Sequence, residues 1–70
     1  MNSYSERIKH GERDLKNKAY FSAVENFKEA PSVIGLVKVI NTLEKVNTQN
    51  EISAKLFALN TYKELTGEQL

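Results

Sequence analysis

The stretch that decides the fold covers residues 11–30 and reads GERDLKNKAYFSAVENFKEA. It begins with a small residue, Gly11, passes a polar interruption at Asn17-Lys18, and continues with apolar residues at helical spacing as far as Ala30. Two antiparallel helices can approach closely where a small residue faces an apolar stripe, because the distance between helix axes depends on the side chains at the contact. The stretch therefore predicts a helical hairpin, and it indicates no chemistry.

The first helix of this hairpin is predicted over residues 4–16. Ser3 and Glu6 have the spacing of a capping box, in which the hydroxyl accepts a backbone N–H and the carboxylate bonds back to the Ser3 N–H. The apolar stripe that follows consists of Tyr4, Ile8, Gly11, Leu15 and Ala19. Their spacing of three and four residues places them on one face of an α-helix.

The second helix is predicted over residues 20–30. Its apolar face consists of Tyr20, Ala23, Val24, Phe27 and Ala30. Pro31 disfavours the α conformation for the residue before it, so the helix is expected to end at or near Ala30.

A third helix is predicted over residues 33–47, with Ser32 as its N-cap. Its apolar residues cover about half of the circumference and are Val33, Leu36, Val37, Val39, Ile40, Leu43 and Val46. Many of them are β-branched and would suit a strand. The segment is too long for a typical strand, however, and its apolar pattern does not alternate.

A fourth helix is predicted over residues 51–66. Thr48 and Glu51 have the spacing of a second capping box, and Gly67 suits the position just after the end of a helix. We expect the inner face of this helix to consist of Ile52, Ala54, Leu56, Ala58, Leu59, Tyr62 and Leu65.

Together these segments predict an all-α protein, a small antiparallel helical bundle of three to four helices over residues 4–16, 20–30, 33–47 and 51–66. Helices joined by short loops are expected to pack against their neighbours in sequence. Three long helices with a shorter second one fit the pattern equally well. No linker, low-complexity segment or charge run divides the chain, so residues 1–70 are expected to form one helical domain.

The first hairpin resembles a single repeat unit of the tetratricopeptide (TPR) family. The positions that carry the resemblance are Gly11, Tyr20, Ala23, Phe27 and Ala30. The similar region covers residues 7–30, while Leu15 and Pro31 depart from the family's pattern. The resemblance implies that small residues let the two helices pack closely and that aromatic residues fill the space between one hairpin and the next. Units of this family stack into a peptide-binding groove, and about three of them are needed for a stable array.

Length and composition limit the class of protein. A chain of 70 residues buries only about 60% of the surface that its unfolded form exposes, so we expect marginal stability. The absence of Cys excludes disulfides and thiolate metal sites, and a formal net charge of +1 excludes a chain that seeks polyanions over its whole surface. No apolar stretch is long enough to span a bilayer and no signal-peptide pattern is visible, so we expect no membrane association and a cytoplasmic location. The seven Asn and eight Lys suggest A/T-rich codons and a bacterial or phage origin.

The sequence indicates no catalytic, cofactor-binding or metal-binding residue. His10 is the sole histidine, and the acidic residues lack the spacing of a metal site. The three glycines are too scattered to build a phosphate-binding loop. A small bundle also has little room for the water-excluding pocket that catalysis needs. We therefore predict a non-enzymatic protein with no cofactor, no metal and no small-molecule substrate.

One surface feature is a basic flank on the first helix, formed by Lys9, Arg13 and Lys16. Their spacing of four and three places them within about 60° of arc. Like charges one turn apart repel by a few tenths of a kcal/mol, and a bound anion would offset that cost. The alternative is a solvated face, since Glu12 and Lys16 have the spacing of a favourable i,i+4 pair.

A second surface feature is the pair of aromatic residues Phe21 and Phe57. On a helical projection, Phe21 lies beside Lys28 and Phe57 lies among polar residues, opposite Ile52 and Leu56. Each aromatic residue alone fits an enlarged core. Two of them in a protein of this size favour a surface that binds another protein or a second copy of the chain.

These features give two functional hypotheses. The first is a non-catalytic protein-protein interaction or adaptor module, such as a small accessory or regulatory subunit, that uses Phe21 and Phe57. The alternative is a small nucleic-acid-associated accessory protein that binds phosphates through Lys9, Arg13 and Lys16. The partner, the pathway and the oligomeric state are left open by the sequence.

Overall fold

The computed structural model describes residues 3–45 and 48–68, with Ser3 described by its backbone alone. Within these ranges the chain forms no strand and four helices, which are α1 (Ser3–Lys16), α2 (Tyr20–Glu29), α3 (Val33–Thr42) and α4 (Gln49–Thr66). The predicted all-α helical bundle is confirmed. The bounds of α1, α2 and α4 agree with the prediction to within two residues. The capping-box contact predicted for the Ser3 side chain lies outside the described residues.

The turn between α1 and α2 is closed by backbone hydrogen bonds at the end of α1. The Lys18 N–H donates to the Leu15 carbonyl at 3.1 Å, and the Ala19 N–H donates to the Asp14 carbonyl at 2.8 Å. This pair of bonds is the Schellman pattern, which places a left-handed residue just after the helix. Lys18 occupies that position with φ 65°. Its backbone is therefore in a conformation that favours glycine.

The link between α2 and α3 joins one helix end directly to the next helix start. α2 ends at Glu29, next to the position that Pro31 predicts. The Ser32 N–H donates back across the proline to the Phe27 carbonyl at 2.7 Å. The Ser32 hydroxyl accepts the Gly35 N–H at 3.1 Å, which confirms Ser32 as the N-cap of α3.

The third helix is shorter than predicted. α3 ends at Thr42, so the prediction of helix as far as residue 47 is wrong. Asn41 and Thr42 are poor residues for a helix interior because their side chains compete for backbone groups. The Thr42 hydroxyl indeed donates to the carbonyl one turn earlier at 2.7 Å. Leu43 lies just past the helix and is fully buried as predicted, whereas Val46 lies outside the described residues.

The ring of Phe27 lies at the centre of the core. It is fully buried between Gly11 of α1 and Gly35 of α3. A Cβ atom on Gly11 would come within 2.6 Å of the ring, and a Cβ atom on Gly35 would come closer still. The backbones of α1 and α3 therefore rest directly on the two sides of the ring. The predicted close contact at Gly11 is confirmed, whereas the contact at Gly35 was not predicted.

The helices are arranged around α2, which packs on α1, α3 and α4. α1 also touches α3, and α3 packs on α4, but the described parts of α1 and α4 do not meet. α1 and α2 thus each contact the next two helices along the chain. The molecule is flat, with extents of 40 × 28 × 13 Å. The other buried apolar residues are Ala23, Val24, Ala30, Leu36, Val39, Ile40, Leu43, Ala54 and Ala58.

Polar side chains fasten one edge of α1 to α2. Arg7 donates to the amide oxygen of Asn26 at 3.3 Å and pairs with Glu29 at 3.1 Å. The amide nitrogen of Asn26 donates to the Asp14 carboxylate at 2.9 Å. Asn26 of α2 therefore contacts both Arg7 and Asp14 of α1. The hairpin is stabilised by these polar contacts as well as by Phe27.

The fourth helix has the predicted ends. The Thr48 hydroxyl accepts the Glu51 N–H at 3.3 Å, which confirms the N-cap. Gly67 follows the last turn with φ 76°, and its N–H donates to the Lys63 carbonyl at 2.7 Å. These contacts satisfy backbone groups that the ends of a helix leave unpaired.

The inner face of α4 agrees with the prediction at Ala54, Ala58, Leu59, Tyr62 and Leu65 and differs at two positions. Ala54, Ala58 and Thr61 are fully buried, whereas Ile52 and Leu56 are exposed. Small residues at spacings of four and three allow α4 to lie close to its neighbours, so the helix turns this side inward. The prediction that Ile52 and Leu56 belong to the inner face is wrong.

Candidate interaction surfaces

Phe21 and Phe57 form a stacked pair that joins α2 to α4. Their ring centroids are 5.8 Å apart and the ring planes are inclined by 25°. Phe57 does lie on the side of α4 away from Ile52 and Leu56 as projected, but those two residues are the exposed ones. Phe57 is half-buried and packs against the core. Phe21 lies over it with 44% of its surface exposed. The pair therefore extends the core to the surface and leaves aromatic area open at Phe21.

Two shallow depressions border the aromatic pair. One, of about 410 Å³, lies beside Phe57 and is lined also by Glu25, Lys28 and Glu29. The other, of about 250 Å³, lies at the start of α2 and of α4 and is lined by Lys18, Ala19, Tyr20, Phe21, Ser22, Asn50 and Ala54. Aromatic rings next to polar groups are typical of protein interfaces.

A second apolar surface is formed by Ile52, Leu56 and Leu59, which we call the outer stripe of α4. Ile52 is 40% exposed and Leu56 is 55% exposed, while Leu59 is half-buried and also packs against the core. Their spacing of four and three places them on one line along the helix. Sequence reasoning missed this surface because it assigned all three to the inner face, where Leu59 alone packs against the core. The signal that could have found it is the line of small residues through Ala54 and Ala58, on another side of the same helix.

On α4 itself, the charged residues closest to the outer stripe are lysines. Lys63 continues the line by one turn, and Lys55 lies about 60° to its side. Within residues 3–45 and 48–68 neither lysine has an ion pair or a side-chain hydrogen bond. Glu51 and Glu64 lie about 100° or more from the stripe. The first accepts the N-cap hydroxyl at 2.6 Å and the second pairs with a lysine of α2 at 3.9 Å.

A single apolar residue on α3, Ile34, is exposed to 74%. Isolated exposed apolar side chains are normal on protein surfaces. Ile34 therefore does not indicate a binding surface, and it is a useful control position for variants of the two apolar surfaces.

The basic flank lies on the face of α1 that points away from the core. Lys9, Arg13 and Lys16 are all exposed. A guanidinium nitrogen of Arg13 lies 2.6 Å from Nδ1 of His10. An open depression of about 440 Å³ is lined by Glu6, Lys9, His10 and Arg13. The structure thus brings the three predicted basic residues together on one solvent-facing surface.

Glu12 does not neutralise this flank. Its carboxylate pairs with Lys38 of α3 at 3.0 Å, so the expected pair between Glu12 and Lys16 is not formed. Lys9 and Lys16 have no ion pair in the part of the chain that the structure describes. Packing of α3 beside α1 therefore removes Glu12 as a counter-charge for Lys16, whereas Glu6 lines the same depression as Lys9 and Arg13.

No family model, curated protein or solved structure matches the chain. Among the described residues, no helix is long and apolar enough to cross a membrane. The same residues contain no group of three His, Cys, Asp or Glu side chains that could hold a metal ion. Function is therefore inferred from the surfaces of α1, α2 and α4.

Proposed function

We propose that the protein is a non-catalytic interaction module that binds another protein, as an adaptor or a small accessory or regulatory subunit does. The observation that carries this proposal is the exposed ring of Phe21, which rests on Phe57 and through it on the core. An aromatic ring that is held in place before binding offers a large apolar contact at a small entropic cost.

The packing of the hairpins supports a tetratricopeptide-type relationship as part of this proposal. In that architecture hairpins stack, and each contacts its neighbours along the chain. Phe27 fills the space between Gly11 of the first hairpin and Gly35 of the α3–α4 hairpin, and α1 and α2 each contact the next two helices. Since about three units are needed for a stable groove, we propose that two hairpins bind a partner through an outer surface instead.

Site-specific photo-crosslinking tests the proposal. A photoreactive amino acid replaces Ser22, which is exposed beside Phe21. The labelled protein is mixed with a lysate of the native host and irradiated. We expect a crosslink to a specific protein that is lost in the Phe21→Ser variant and retained in the matched control Ile34→Ser. As a control, a photoreactive residue at the exposed Asn41 of α3 measures the yield of non-specific crosslinks. Crosslinks of equal yield at both positions, or crosslinks that survive Phe21→Ser, would refute the proposed surface.

A second candidate function is the binding of nucleic acid through the basic flank. The observation that favours it is the pairing of Glu12 with Lys38 at 3.0 Å, which removes the acidic partner expected for Lys16. Lys9 and Arg13 share the same exposed face. Lysine and arginine side chains on one exposed side of a helix are the groups that contact a phosphate backbone.

Salt titration separates phosphate contacts from a solvated surface. Replacing Lys9, Arg13 and Lys16 by Gln is expected to weaken binding to DNA or RNA and to reduce the slope of log K against log salt by up to about 3. A matched control replaces three other lysines by Gln, namely Lys28, Lys45 and Lys55. If the unmodified protein binds no nucleic acid at about 50 mM salt, or if the control loses as much affinity, this candidate is wrong.

A further inference from the structure

We propose that the outer stripe of α4 is the docking site for an amphipathic helix of a partner protein, with acidic residues flanking the apolar side of that helix. This inference rests on the proposed role in protein binding. It assigns that role a second surface, separate from the Phe21–Phe57 pair, and names the chemistry of the partner.

The form of the surface favours a helical partner. Ile52, Leu56 and Leu59 make an apolar line of about 10 Å, given a rise of about 1.5 Å per residue. The inner side of α4 is covered by α2 and α3, while Ile52 and Leu56 remain 40% and 55% exposed. Amphipathic helices recognise such a surface through apolar residues at positions i, i+3 or i+4, and i+7. Strand addition at a sheet edge does not apply, because the described residues contain no strand.

The charges around the stripe favour an acidic partner. Lys55 and Lys63 are the nearest charged residues of α4, and neither has an ion pair within the described part of the chain. Complementary charges at the rim of an interface speed association and fix the register of the two surfaces. A partner helix with Asp or Glu beside its apolar line would supply the missing counter-charges.

A second copy of this chain is a poorer occupant on the same grounds. In a two-fold symmetric pair the outer stripe faces itself, so Lys55 and Lys63 of both copies surround one apolar line and repel each other. The exposed face of α1 carries the basic flank, so a contact between the stripe of one copy and α1 of another would also bring like charges together.

Selection from a displayed library of 20-residue peptides tests the inference on the purified protein. Peptides are selected on the unmodified protein and counter-selected on the Leu56→Ser variant. We expect the enriched peptides to have apolar residues at helical spacing and an excess of Asp and Glu over Lys and Arg. Their affinity should fall at least tenfold for Leu56→Ser and change less than twofold for Ile34→Ser, which removes a more exposed apolar side chain from α3. Circular dichroism checks that both variants fold.

Charge reversal tests the chemistry of the partner. The double variant K55E/K63E should bind the selected acidic peptides at least fivefold more weakly, and it should prefer peptides in which Lys replaces the flanking Glu. The inference is overturned if no peptide that depends on Leu56 is enriched, if the enriched peptides lack an acidic excess, or if charge reversal leaves the preference unchanged. Sedimentation that shows a dimer dissociated by Leu56→Ser would assign the stripe to a second copy and would also overturn it.

The two proposals can fail separately. Failure of the peptide selection while crosslinks at Ser22 still depend on Phe21 overturns the inference about α4 alone. Loss of those crosslinks while selected peptides still bind the outer stripe overturns the proposal for the aromatic pair alone.

Discussion

The contact of Phe27 with two glycines predicts that alanine at these positions lowers the stability of the protein, whereas alanine in place of a helical glycine usually raises it. Replacing glycine by alanine inside a helix ordinarily stabilises a protein by about 0.5–1 kcal/mol, because alanine loses less backbone freedom on folding. At Gly35 the new Cβ atom would overlap Cγ, Cδ1 and Cε1 of Phe27. Because Cγ is held close to the backbone of α2, the ring cannot swing away. We therefore expect Gly35→Ala to destabilise the protein.

The size of the effect follows from the packing on both sides of the ring. Phe27 is fully buried, and its Cε1 and Cδ1 atoms also lie within 2.6 and 2.9 Å of the Cβ position on Gly11. Overpacking of a tight core costs about 1–3 kcal/mol, from which the helix preference of alanine recovers up to about 1 kcal/mol. We expect a net loss of about 1–2 kcal/mol for Gly35→Ala. Gly11→Ala should cost less, because its closest contacts include Cζ at the far end of the side chain.

Urea unfolding followed by circular dichroism measures both losses. A double-mutant cycle supplies the control, since Phe27→Leu removes the ring and should reduce the cost of Gly35→Ala by about 1 kcal/mol or more. A midpoint for Gly35→Ala at or above that of the unmodified protein would refute the reasoning. Equal costs of Gly35→Ala with phenylalanine and with leucine at position 27 would also refute it.

Three further predictions concern local structure. Lys18→Gly should raise the free energy of unfolding by about 0.5–1 kcal/mol, because Lys18 has φ 65° just after α1; an unchanged urea midpoint would contradict a strained turn. Phe57→Ser should lower stability by about 2 kcal/mol, because it removes a half-buried ring and its stacking on Phe21. Leu56→Ser, one residue away and 55% exposed, should change stability by less than about 0.5 kcal/mol. Thermal melts in which Phe57→Ser and Leu56→Ser lose equal stability would show that α4 is rotated differently. Ala23→Leu should cost about 1–3 kcal/mol in the same melts, because Ala23 is fully buried in the core and leaves no room for a larger side chain; a neutral result would contradict a tight core at α2.

The helices and their ends were predictable because they depend on interactions between residues close in sequence. Ser32 and Thr48 cap helices through backbone groups three residues away, and Gly67 ends α4 in a conformation that glycine adopts most easily. The hairpin contact at Gly11 was also predictable, because a small residue facing an apolar helix lets the two helices pack closely. The basic flank followed from helical spacing alone.

The rotation of α4 was not predictable in this way. The helix has one apolar line through Ile52 and Leu56 and another through Ala54 and Ala58, and local interactions do not choose between them. Close packing on α2 and α3 makes the choice, because small residues permit an approach that isoleucine and leucine would prevent. Phe57 turns inward for the same reason.

The partners of charged residues were likewise decided by packing. Glu12 has a local partner at Lys16, but the approach of α3 places Lys38 at 3.0 Å from its carboxylate. A surface pair within one helix is worth only a few tenths of a kcal/mol, so a neighbouring helix easily replaces it. Local sequence thus sets where helices form and end, while the sides they bury and the charges they leave unpaired depend on contacts between residues far apart in the chain.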